Sequence, residues 1–157
     1  MMMTKFPEPD TLDNSPKLEI FNPSEYTLPF TKDDALSLLE LIEKEESVQY
    51  HSVEIIFTDE KWIIEINSKY LNRDYVTDII SFRMDDDDSN QSIEGVLYCC
   101  APRIAEQSAE YDSNPESEFL RVIVHGLLHL IGYDDQTESD KSEMTAKEDH
   151  YLKSLSS

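Results

Sequence analysis

Two histidines four residues apart, then a glycine, then a carboxylate, constrain this chain more than anything else in it. The stretch is His125-Gly-Leu-Leu-His129-Leu-Ile-Gly132-Tyr-Asp-Asp135. On a helix, residues i and i+4 share a face, so both imidazoles can reach one metal ion. Gly132 can take the left-handed conformation that ends a helix and turns the chain back. Asp135 then arrives three residues later with a carboxylate for the same ion. The pattern His-x3-His-x5-Asp leaves coordination positions open, which is what separates a catalytic metal site from a structural one.

Paired histidines at this spacing also occur in ordinary helices, as hydrogen-bonded core or surface residues. Here Leu127, Leu128, Leu130 and Ile131 surround the pair and imply partial burial, and buried imidazoles need partners. The glycine and carboxylate at matching offsets favour the metal reading. Zinc peptidases of this layout carry a glutamate after the first histidine as general base. This chain has Gly126 there, which cannot take a proton from water. The pattern therefore points to a metal hydrolase in which the substrate, or a residue elsewhere, handles the proton.

Around that stretch the periodicity predicts an α+β fold: a small mixed sheet of about four strands covered by helices, with a central metal-binding helix. Residues 1–16, rich in Pro, Asp and Asn, read as a poorly ordered lead-in, and 17–157 as a single domain. Predicted strands are Leu18–Asn22, His51–Thr58, Thr77–Phe82 and Ile93–Cys100. Thr31 with Asp34 resembles a capping box opening a helix to about Glu46. Asp59 caps a helix whose Trp62, Ile63, Ile66 and Tyr70 are assigned to one core-facing stripe. Pro102 opens a helix to about Tyr111, and Asn114-Pro115 opens the one bearing the histidines. The last helix, Glu138 to about Leu155, is expected to pack Met144 and Tyr151 on the core.

No segment is long and apolar enough to span a membrane, and the acidic N-terminus does not read as a signal peptide. Cys99 and Cys100 are strand neighbours facing opposite ways, so a disulfide between them would be strained. As reduced thiols they fit the cytoplasm. His51 and His150 are expected at the surface. The net charge of -21 sits poorly with phosphate contacts. It is uneven, though: residues 48–83 hold Lys61, Lys69, Arg73 and Arg83 against six acids. The Asp85–Asp88 run reads as a solvated loop rather than a cation site.

Taken together, the histidine stretch resembles the signature of the YbeY-type rRNA maturation factors, a family of bacterial metal-dependent endoribonucleases. So does the stretch from Ile66 to Phe82, Ile-Asn-Ser-Lys-Tyr-Leu-Asn-Arg-Asp-Tyr-Val-Thr-Asp-Ile-Ile-Ser-Phe, which is similar to that family's second motif. The resemblance runs from Leu18 to the last helix. It implies one zinc ion, single-stranded RNA as substrate, and work on the small ribosomal subunit and its rRNA precursor. It matches His125 and His129 to the first two ligands and puts Asp135 where the family has a third histidine. Aspartate is a competent zinc ligand, but it makes other divalent metals more competitive. The family's arginine after the second motif's tyrosine falls on Leu71, which leaves Arg73, at the family's lysine, as the candidate catalytic cation. Val96 stands where the family often has aspartate. The other readings are a metallopeptidase-like hydrolase and a non-enzymatic ribosome-assembly factor with a structural metal.

Overall fold

Alternation along two strands builds a sheet with two unequal faces. In the computed structural model, which describes residues 16–86 and 89–156, four strands and five helices follow one another. They are β1 (Leu18–Phe21), α1 (Lys32–Glu46), β2 (Tyr50–Thr58), α2 (Glu60–Leu71), β3 (Ile79–Arg83), β4 (Ile93–Cys100), α3 (Ala101–Glu110), α4 (Pro115–Leu130) and α5 (Glu138–Ser156). The strand order is β1-β2-β4-β3. β1 and β4 both run parallel to β2, while β3 pairs antiparallel with β4. The α+β expectation holds, with strand ends shifted by one or two residues. The lead-in expected over 1–16 lies, apart from Pro16, outside the described residues.

One face of the sheet carries Val53, Ile55, Phe57, Leu97 and Cys99, which are sealed under α1, α4 and α5 in the main core. Met144 and Tyr151 of α5 close that core as expected. The other face carries a smaller cluster in which Ile80 and Cys100 meet Ile63 and Ile66 of α2. Cys99 and Cys100 thus belong to different cores, both as free thiols. Burial pushes the Cys100 thiol up to about 11 and Cys99 well above its ordinary value, so neither is a ready nucleophile.

Trp62 and Tyr70 correct the assigned stripe: Ile63 and Ile66 are buried, but Trp62 is 59% and Tyr70 57% exposed. One residue is about 100° of helix, so Trp62 falls beside the stripe that Ile63 sets. Tyr70, at the helix end, meets Phe82 edge-on. The Asp85–Asp88 loop also departs from the solvated reading at its first residue. Asp85 accepts from Arg83 Nε at 2.9 Å and from the Glu94 amide at 2.9 Å. Asp87 and Asp88 lie outside the described residues.

Helix starts follow local chemistry. Thr31 accepts from the Asp34 amide, Asp59 from the Trp62 amide, and Asn114 from the Glu116 amide with Pro115 next, satisfying donors that have no intrahelical partner. Among the described residues no helix is long and apolar enough to cross a membrane.

Candidate metal centre

From Glu118 to Leu130, α4 is nearly all core. From Arg121 onward only Arg121, His125 and His129 are part-exposed, one every four residues, so a single polar stripe opens along an otherwise buried helix. Gly126 faces the opposite way. A Cβ there would lie 2.6 Å from Ile79 Cδ1 and 2.9 Å from a Leu97 methyl, so glycine is what allows α4 to rest on β3 and β4. The position where a peptidase has its base points into the core.

The end of α4 is fixed as firmly. Gly132 has φ +110°, the Tyr133 amide donates to Leu128 O and the Gly132 amide to His129 O, the Schellman arrangement that left-handed glycine permits. Two remaining carbonyls are met by side chains: Tyr50 Oη donates to Leu127 O at 2.7 Å and Arg83 Nη1 to Leu130 O at 3.0 Å. Asn90 adds a bond to Ile131 O. The turn then carries Asp135 back under the two rings.

The three sequence-picked residues converge. His125 Nε2 and His129 Nε2 are 3.0 Å apart, and Asp135 Oδ2 lies 3.3 Å from the first and 3.6 Å from the second. Donors bound at zinc–nitrogen lengths around a tetrahedral ion would be separated by roughly 3.3 Å, and the observed separations straddle that value. Two imidazoles and one carboxylate form a fitting donor set for a divalent ion. All three are part-buried, and among the described residues they are the group of three or more metal-binding side chains whose atoms draw together.

Glu148 is the residue that sequence reasoning missed. It is 7% exposed, on the buried α5 stripe with Met144 and Tyr151, and its Oε2 lies 2.7 Å from His125 Nδ1. A carboxylate between two core residues was the available signal. Burial works against a charged His125 ring, but the hydrogen bond and charge of Glu148, with the charge of Asp135, outweigh it and lift His125 above the ordinary imidazole value.

Two adjoining cavities of about 550 and 410 Å³ share Asp78, His125 and Asp135. Arg73, Leu71 and His129 line the larger, and Arg121, Glu118 and Glu148 the smaller. Volumes of this order accept small-molecule-sized groups. Arg73 thus borders the same cleft as the donor triad. Glu118 is 6% exposed, and burial raises its carboxyl above the ordinary value. His51 and His150 are exposed, as expected.

Comparison with known proteins places the chain's sequence and fold. The endoribonuclease YbeY family profile matches residues 22–156. The endoribonuclease YbeY of Chloroherpeton thalassium is 38% identical over 117 residues, covering 74% of this chain and 81% of that protein. That of Ureaplasma parvum is 36% identical over 138 residues, covering 87% and 86%. The solution structure of TM1509 from Thermotoga maritima matches with a TM-score of 0.57 and 26% identity over 88% of each chain.

Proposed function

This chain belongs to the YbeY family of endoribonucleases, and from that premise we propose that it cleaves single-stranded RNA at a divalent ion held by His125, His129 and Asp135. The carrying observation is the convergence of those three donors at separations of 3.0–3.6 Å. The catalytic unit is the single domain over residues 17–157. Zinc is the first choice of ion, and the carboxylate ligand widens the choice to harder divalent metals. The substrate is the rRNA precursor of the small ribosomal subunit, met on the ribosome in the cytoplasm.

When bound, the ion supplies a Lewis acid that lowers the pKa of water and steadies charge on a phosphoryl oxygen. The chain's own groups do the rest. Arg73, on the rim of the cleft, gives a cation toward the charge that builds on the phosphate. Gly126 offers no base, so the proton falls to carboxyl groups lining the cavities, Asp78 and Glu118. The core-facing direction of Gly126 also disfavours the peptidase alternative.

The test is to measure bound metal and cleavage of an rRNA precursor for the purified protein and for His125→Ala, each with and without chelator. Loss of metal together with loss of cleavage supports the reading. Unchanged metal content in the variant ends the ligand assignment, and metal binding without cleavage returns the assembly-factor alternative.

A further inference from the structure

A buried carboxylate must find partners for both oxygens, and Glu148 finds two from α4. Its Oε1 accepts from Arg121 Nη1 at 2.9 Å and its Oε2 lies 2.7 Å from His125 Nδ1. Arg121 and His125 are one turn apart on the polar stripe of α4, so both reach the same carboxylate from one side. The other guanidinium arm, Nη2, donates to Asp149 Oδ1 at 2.6 Å. One arginine therefore spans two consecutive carboxylates of α5.

An ionised carboxylate only accepts, so His125 Nδ1 must carry the proton at this contact. The neutral ring then has its lone pair on Nε2, the atom that lies 3.0 Å from His129 Nε2 and 3.3 Å from Asp135 Oδ2. In the opposite tautomer, a lone pair would face the Glu148 carboxylate, and the N–H would occupy the side where the three donors meet. The Glu148 contact selects between the two forms.

We propose that Glu148 is a positioning residue for the metal centre: it holds His125 in the tautomer that presents Nε2 to the ion, and Arg121 holds Glu148 in place. The inference rests on the ligand reading above and assigns that reading a support from the last helix. Glu148 is not one of the three converging donors. It acts through the orientation and tautomer of one ligand, at a distance of 23 residues in sequence.

The test uses the purified apo protein, wild type beside Glu148→Gln and Glu148→Ala. Long-range 1H–15N spectra, taken at alkaline pH where the ring is neutral, read which His125 nitrogen is protonated, with no metal present. Competition with a chromophoric chelator reads zinc affinity, and apo thermal melts show whether each variant is folded. The wild type should show a protonated Nδ1, and Glu148→Ala a mixture of tautomers with zinc affinity about 10–100-fold weaker. Glu148→Gln, whose amide oxygen still accepts from Nδ1, should keep the tautomer and lose affinity by a smaller factor. A folded Glu148→Ala that keeps Nδ1 protonated and binds zinc like the wild type overturns the proposal. If that variant does not fold, the wild type decides: a neutral His125 that carries its proton on Nε2 overturns it. A wild type with no zinc affinity would sink the ligand reading and this inference together, whereas intact wild-type affinity with indifferent variants sinks the inference alone.

Discussion

Tyr133 donates its hydroxyl to Glu46 Oε1 at 2.7 Å, joining residues 87 positions apart. The same carboxylate accepts at Oε2 from Tyr151 at 2.6 Å and from Lys147 at 2.9 Å. One side chain at the end of α1 thereby ties down both α5 and the turn that delivers Asp135. Burial alone would raise the Glu46 carboxyl, but the bonds from Tyr151, Lys147 and Tyr133 outweigh it, and it lies below the ordinary carboxylate value.

That lowered value sets a direction with pH. A carboxyl more acidic in the folded chain than in the unfolded one stabilises fully above the unfolded value, about 4.3 for glutamate, and the gain is lost as pH falls through the folded value. Glu46→Gln should cost about 1–3 kcal/mol at pH 7 by urea unfolding. The gap from wild type should narrow steadily below about pH 4. A gap of the same size at pH 7 and pH 3 would remove Glu46 as an ionised anchor.

Asp135→His replaces the carboxylate of the triad with a third imidazole. Zinc affinity should rise by roughly tenfold and the advantage of zinc over manganese should widen, because imidazole suits zinc and carboxylate suits the harder ion. Paired titrations with the two ions measure this. A variant with unaltered preference means Asp135 is not a ligand.

Arg73→Ala should lower kcat/KM on single-stranded RNA by about 10–100-fold while zinc content stays constant. Leu71, 40% exposed on the same cleft, has room for a longer polar chain. Leu71→Arg should raise kcat/KM several-fold over wild type, with stability changed by no more than about 0.5 kcal/mol. Full activity in Arg73→Ala would show that the charge comes from elsewhere.

Gly126→Ala should destabilise by about 1–3 kcal/mol, since the added methyl meets Ile79 and Leu97 in a filled core. Gly126→Glu should fail to fold rather than gain peptidase activity, because the carboxylate would be driven into that core unpaired. Circular dichroism and a casein assay on the same preparations decide both points.

The convergence of His125, His129 and Asp135 could be read from the chain because its parts are local. His125, His129 and Gly132 obey helix geometry and turn chemistry within eight residues, and Asp135 follows on the same turn. Helix starts at Thr31, Asp59 and Asn114 were legible for the same reason. Trp62 departs from the stripe because it sits one residue from Ile63, an offset that its hydrophobicity conceals in the sequence. Glu46, Asp85 and Glu148 were illegible for a different reason: in a chain with 34 acidic residues, a carboxylate that pairs through space looks like its solvated neighbours. Glu148 meets His125 from another helix, Glu46 meets Tyr133 across most of the domain, and Asp85 folds back on Arg83.

Gly126, by letting α4 rest against the sheet, has a consequence for how the enzyme would be loaded. The rings ride on a segment whose neighbouring side chains, from Val122 to Leu130, are otherwise buried, so an ion would meet a cradle already formed. Uptake would then require the ion to shed its hydration shell rather than the polypeptide to find its shape. A chelator would strip the centre while leaving the helix wound, and the emptied enzyme would be ready for recharging.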